Sequence, residues 1–572
     1  ATDNPLTPQP PAKPRRAKPY RPRPKPAHLL LMAALYLFFA VFLIWPIVQV
    51  VAAGFVRPDG TFTFRYLGLI FTDPVLVKGL WNATLVAVLT TFTTLIIALP
   101  LALASVRDDF RVRGLMSGLL LGPLVLPPFV GAIGMKLVLG RFGPLTMAVG
   151  GAGEGDLGID WIGTYRFFGI ILVEALHLYP IMLLNLQAAL ANVDPAMEQA
   201  AANLGASRWT IFRRITLPLI RPGLFAGCTL VLVWSFTELG TPLMFDFQDI
   251  TPVQVFARLT EVSANPLPFA LVVVMLFASA SLYLIGKTLL GRSFDAATTK
   301  ASVQSTPRKV RGLHGLLVML PFLVVFFLAV LPHLSVLFTS IAEPGSWYQS
   351  VLPQSFTASH FGQALLDELA LPSIRNSIFY ASMATLVAMI VGLGAAIIIV
   401  RSNVPGRGVV DTLAMLPLAV PGLVLAFGYL SISIFFQRSF PEATAPGGAL
   451  SMLNVQENPV LLLVLAYAAR RLPYVVRSAV AGLQQTPQDL ELAGANLGAS
   501  RWRGLRRITV PLILANLIAG GLLAFAFAML EVSDSLILAQ KAEYFPITKA
   551  IYELSQRLGD GVYIASALGV WA

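Results

Sequence analysis

Long apolar runs, cut by short polar stretches, recur from residue 29 to the end of the chain. A helix needs about 20 apolar residues to cross the roughly 30 Å of bilayer hydrocarbon. By that measure the first half carries spans at 29–54, 76–105, 115–139, 166–190, 222–243 and 268–290. The second half carries spans at 314–341, 373–400, 409–436, 459–483 and 511–538, and a twelfth begins near 563. The pattern predicts an all-α polytopic membrane protein. The last run, "IASALGVWA", stops soon after it starts, so the twelfth helix is expected to be incomplete.

The two sets of spans are copies of one another. "EQAAANLGASRWTIFRRITLPL" starts at Glu198 and "ELAGANLGASRWRGLRRITVPL" at Glu491, with 16 of 22 positions identical. Pro123, Pro127 and Gly134 answer to Pro417, Pro421 and Gly428, and Glu238 answers to Glu531. Six spans is an even number, so both halves enter the membrane from the same side. The expected architecture is two tandem parallel six-helix halves related by a pseudo-two-fold along the membrane normal. The domains follow: a basic, proline-rich tail (1–28), a first half (29–290), a polar linker (291–313) and a second half (314–572).

Composition agrees with this reading and charge adds a direction. Of 572 residues 56% are hydrophobic and 12% charged, about half the charge of a soluble domain. The net charge of +12 collects in the tail and in the loops "RDDFRVRG" (107–114), "RWTIFRR" (208–214), "RSNVPGRG" (401–408) and "RWRGLRR" (501–507). Cationic short loops stay cytoplasmic, which puts the N-terminus inside the cell. The tail suits anionic lipid rather than nucleic acid, because it leads directly into a membrane helix. A single Cys228 and five histidines leave no disulfide framework and no metal cluster. "GKT" at 286–288 lacks the first glycine of a phosphate loop, so this chain is not an ATPase and no enzyme chemistry is expected of it.

Each copy of the repeated loop, about 194–222 and 486–515, reads as helix, glycine turn, helix. Asp194-Pro195 and Thr486-Pro487 are expected to cap the first helix, with Gly205 and Gly498 breaking it. Ser207 and Ser500 can cap the second. A connector lying on lipid need keep only its pattern, yet here the letters themselves are kept. The pattern E-x-A-x-x-x-x-G, followed by an I-x-x-P run, resembles the EAA loop of the membrane subunits of bacterial type I ABC importers. The single chain of twelve spans is similar to the branch associated with ferric iron uptake, and also with thiamine, aminoethylphosphonate and sugar-phosphate uptake. The resemblance implies an inner-membrane permease for a small charged solute, foremost ferric iron. Its implied partners are two copies of an ATPase subunit, which hold the ATP and Mg, and an external substrate-binding protein. It also implies that Glu198, Gly205, Ala206, Ser207, Arg208, Trp209 and Arg214 couple to one ATPase. Glu491, Gly498, Ala499, Ser500, Arg501, Trp502 and Arg507 would couple to the other. Gly494 departs from the pattern's alanine, at a cost of about 1 kcal/mol in helix propensity. The alternative of another class is a twelve-helix secondary transporter, which would need no ATPase-docking loop.

Four ionisable residues within apolar runs are candidates for the substrate path. Glu238 and Glu531 lie about 25 Å along their spans, which places them in the outer part of the bilayer, where they suit a hard cation. Arg470 and Arg471 have no counterpart in the first half, where His177 and Leu178 stand. They either face a cavity at depth, where they suit an anion, or snorkel to the inner surface.

Overall fold

The computed structural model of the chain describes residues 26–57, 60–124, 128–149, 161, 166–262, 264–290, 307–348 and 350–572. Most of the tail, the glycine-rich loop at 150–158, Pro127 and most of the linker lie outside the described residues. Among the described residues eight helices are long and apolar enough to span a membrane, and two bent pairs bring the number to ten. Two further helices fall short of that measure. Val460–Gln485 has membrane length but carries three arginines, and Gly561–Trp571 is an apolar helix of 11 residues. The sheet structure among the described residues is one short parallel pairing, Asp108–Asp109 with Arg308–Lys309, which ties the end of the linker to the first half.

Within each half the same helices pack together. Pro74–Arg107 lies against Arg166–Ala191 and Leu217–Phe236, just as Ala370–Arg401 lies against Val460–Gln485 and Leu514–Met529. Between the halves the first helices are exchanged. Trp45–Phe55 packs on Gly422–Ser439 of the second half, and Gly312–Ile341 packs on Pro128–Val138 of the first. Glycine makes both crossings close. A Cβ on Gly134 would stand 2.4 Å from the Pro332 carbonyl oxygen, and one on Gly428 would stand 2.7 Å from that of Pro46. Pro46 has no N–H to offer the carbonyl four residues back, Phe42, and the Tyr429 hydroxyl donates to it instead at 2.6 Å. Ser335 donates to the Gly134 carbonyl at 2.7 Å in the other crossing.

Four predicted spans are broken where the sequence pattern ran on, the one at 115–139 into Arg113–Leu119 and Pro128–Val138. The span at 409–436 is two helices, Arg407–Ala419 and Gly422–Ser439. Pro421 disfavours helical geometry in the residue before it, and Val420 is extended at ψ 126°. The span at 222–243 ends at Phe236 and restarts as Gly240–Met244, and the span at 511–538 ends at Met529 and restarts as Ser533–Leu538. Glu238 and Glu531 sit in these two breaks. The chain ends in Ala572, after a last helix that packs against Gly312–Ile341 and Pro128–Val138.

Candidate functional site

The repeated loops fold alike. Pro195–Asn203 and Asp489–Asn496 each end in a glycine at positive φ, +82° at Gly205 and +83° at Gly498. The turn closes with paired backbone bonds. Gly205 and Ala206 donate to the carbonyls of Ala202 and Ala201, and Gly498 and Ala499 donate to those of Ala495 and Gly494. Ser207 then caps the next helix through the Thr210 N–H at 3.3 Å, and Ser500 does so through the Arg503 N–H at 3.4 Å. One expected cap differs. Asp194 accepts from the Ala196 N–H at 2.9 Å, but the Thr486 hydroxyl turns back to the Gly482 carbonyl. The second loop's helix therefore starts later, at Asp489. Gly494 replaces alanine where a Cβ would stand 2.4 Å from the Ile508 Cδ1.

Apolar side chains project from both turns. Trp209 and Trp502 are 68% and 70% exposed, and Leu204 and Leu497 are each 89% exposed. Arg208, Arg214 and Arg507 are exposed as well, while the Arg501 side chain lies outside the described residues. The glutamates face the other way. Glu198 pairs with Arg107 and accepts from the Thr216 hydroxyl at 2.5 Å. Glu491 accepts from Arg401 Nε at 3.1 Å, and the same guanidinium donates to the Thr486 carbonyl. Each loop is thus bolted to the end of the second helix of its half. Arg107 and Arg401 were visible in the sequence only as members of basic loops. Their partners lie about 90 residues away, beyond the reach of local pattern.

The four intramembrane candidates meet in the centre of the molecule, between the halves. A cavity of about 60 Å³ is lined by Glu174, His177, Glu238, Thr241, Arg470, Arg471 and Glu531, among others. Its depth corrects the expectation of an outer position for Glu238 and Glu531. Glu174 accepts from the Thr90 hydroxyl at 3.4 Å, and Thr90 stands halfway along the 34-residue helix Pro74–Arg107.

Arg470 and Arg471 lie at depth rather than at the surface, and both pair with Glu531. Arg470 also reaches Asp534 at 3.7 Å. Gly422 makes room, since a Cβ there would lie 2.2 Å from the Arg470 guanidinium, and Arg471 stacks 5.5 Å above the Phe527 ring. Glu238 has a different neighbourhood from its repeat partner. Its Oε1 accepts from the N–H groups of Gly240 and Thr241, at 3.1 and 3.4 Å, and so starts the short helix that follows. Sequence reasoning passed over Glu174 and Asp534. Glu174 carries the signal that singled out Glu238, a lone acid in an apolar run, and Asp534 stands three residues after Glu531.

On the loop side of this cluster the cavity widens. A space of about 520 Å³ is walled by Ile181, Leu184, Val233, Pro417, Tyr474 and Phe527, among others, and roofed by the two arginines. On the far side the halves touch directly. Lys549 Nζ lies 5.9 Å over the Phe256 ring, and the Phe256 and Tyr552 ring centres are 6.0 Å apart. The Ser555 hydroxyl is 3.8 Å from the Met244 sulfur. The space between the halves is wider on the side of the repeated loops, and the halves meet on the side away from them.

Comparison with known proteins fits this geometry. The model of the family described as "Binding-protein-dependent transport system inner membrane component" matches residues 95–295 and again 388–572. A putative ferric transport system permease of Haemophilus influenzae is 28% identical over 519 residues, 89% of this chain and 77% of that one. The ferric transport system permease of Actinobacillus pleuropneumoniae is 28% identical over 553 residues, 94% of this chain and 75% of that one. A molybdenum transport system permease of Escherichia coli is 34% identical over 184 residues, 31% of this chain and 74% of that one.

Proposed function

The chain belongs to the inner-membrane components of binding-protein-dependent transport systems, and from that premise we propose that it is a permease of an ATP-driven importer of ferric iron. The observation that carries the cargo is the likeness to two ferric permeases along most of their length and of this chain. The likeness to the molybdenum permease reaches about a third of the chain and speaks for the family rather than for the cargo. The central charges favour a cation too. The arginines that would suit an anion are already paired with Glu531, so an anion would have to compete with a built-in carboxylate.

Two ATPase subunits, which hold the ATP and Mg, take one repeated loop each. Leu204 and Trp209, with Leu497 and Trp502, enter the ATPase clefts as apolar anchors. Ser207 and Ser500 hold the turns, and Arg208, Arg214, Arg501 and Arg507 meet acidic ground around the anchors. Glu198 and Glu491 transmit the pull to the membrane helices through Arg107 and Arg401. The basic tail and these loops face the cytoplasm, and the binding protein delivers the cargo on the opposite side.

The test is uptake into proteoliposomes that hold the purified permease–ATPase complex. Radioactive ferric iron is supplied on its binding protein, with ATP enclosed. Iron should accumulate only when ATP and the binding protein are both present. ATP-dependent accumulation of a phosphonate or sugar phosphate in its place would overturn the ferric reading.

A further inference from the structure

We propose that Glu174, Glu238 and Thr241 form a transit site for a hard, partly hydrated metal cation in the first half, with no equivalent in the second. The proposal rests on the ferric reading above and names the groups that would carry it out.

Three observations on the cavity between the halves lead there. The first is a surplus of acid on one side. Glu531 and Asp534 face Arg470 and Arg471, so the second half brings two anions and two cations. Glu174 and Glu238 have no ion-pair partner among the described residues, and the cavity is lined by three carboxyl groups against two guanidinium groups. The second is unspent bonding capacity. Glu174 is 2% exposed, and its Oε2 accepts from the Ser235 and Thr90 hydroxyls. Its Oε1 has no hydrogen-bond partner, and neither does the fully buried hydroxyl of Thr241. Both residues line the same cavity, as does Glu238, which uses only Oε1 on the backbone. A buried carboxylate oxygen and a buried hydroxyl without partners cost on the order of 1–3 kcal/mol each, which a ligand would recover. The third is size. About 60 Å³ holds a few waters, or one cation with part of its water shell.

The chemical class follows from the donors. Carboxylates and a hydroxyl are hard oxygen ligands and suit hard cations. No three His, Cys, Asp or Glu side chains converge on a metal-sized point among the described residues. An ion here keeps water and is held loosely, as conduction requires, because a tight cage would trap the cargo. The asymmetry has a sequence basis. The position that answers to Glu174 is Tyr467, whose hydroxyl is 2.6 Å from the Ser535 hydroxyl, and the one that answers to Thr241 is Asp534.

The experiment compares wild type with Glu174→Gln, Glu238→Gln and the double variant in the reconstituted complex. The readouts are radioactive ferric uptake and ATP hydrolysis stimulated by the iron-loaded binding protein. Each single variant should lose at least tenfold in uptake while keeping stimulated hydrolysis within twofold of wild type, so that ATP is spent without transport. Glu174→Asp, which keeps the charge, should recover a substantial part of the uptake. Wild-type uptake by the double variant would overturn the site, and so would a parallel loss of uptake and hydrolysis that Glu174→Asp does not relieve. A wild-type complex that moves no iron would instead overturn the ferric reading itself, so the two failures are distinguishable.

Discussion

At the scale of single residues, one glutamate in each repeated loop is held by an arginine far away in sequence. Glu491 and Arg401 are both largely covered, with side chains 24% and 11% exposed, so water screens their pair less than a surface pair. Arg401 also holds the Thr486 carbonyl, which fixes the start of the loop. Removing either partner leaves the other largely covered and without its ion pair. Arg401→Ala and Glu491→Ala should each reduce uptake several-fold with normal membrane levels. The exchanged pair, Arg401→Glu with Glu491→Arg, should recover more than either single reversal does. Equal loss in all three would mean that the pair does not position the loop. The glutamate was legible because it sits in a repeated motif. The arginine was not, because nothing in local periodicity says which of several loop cations turns inward. Glu174 is a different omission. The rule that an intramembrane acid calls for a reason applied to it from the start, and its single charge was lost in a long apolar stretch.

At the scale of elements, the turns were readable and the breaks were not. Gly205 and Gly498 could be placed from letters alone, since a helix of small residues followed by glycine before Ala-Ser is a stop signal, and both are in the left-handed region. A side chain at either position would meet open space, with nothing within 4 Å of its Cβ. Substitution therefore costs the chain only backbone strain, about 1–2 kcal/mol. Gly205→Asp and Gly498→Asp should accordingly leave the permease inserted at wild-type amounts. Each should nonetheless lose co-purified ATPase and abolish stimulated hydrolysis, because the added carboxylate projects where a partner would approach. Full retention of ATPase by both variants would remove the docking assignment. The helix breaks at Glu238 and Glu531 escaped the sequence because hydropathy runs through them: "WSFTELGTPLMF" is apolar enough to count as one span. What stops the first helix is a side chain that bonds backbone N–H groups two and three residues on, which leaves no periodic trace.

At the scale of the whole molecule, the repeat predicted two like halves, and the packing adds that neither half is closed on itself. Each lends its first helix to the other, with Gly134 against Pro332 and Gly428 against Pro46 holding the crossings. Glycines 134 and 428 were matched across the repeat in the sequence, but their partners were not, because a contact between halves belongs to neither copy. With the first helices exchanged, a pivot about the shared middle would couple opening on one face to closing on the other. In this structure the closed face is the one away from the loops, where Met244 and Ser555 meet across the halves at 3.8 Å. If transport requires that face to part, tethering it must stop transport. In a Cys228→Ala background, Met244→Cys with Ser555→Cys should be joined by a short thiol cross-linker in the resting protein. Iron uptake should then fall to background, while each single cysteine variant treated in the same way should keep most of its uptake. Joining should become less efficient when the ATPase is trapped with a non-hydrolysable nucleotide, because closure of the ATPases draws the loops together and spreads the far side. A cross-linked permease that still imports at the wild-type rate would show that cargo does not pass between Met244 and Ser555, and that the two halves do not rock about their exchanged helices.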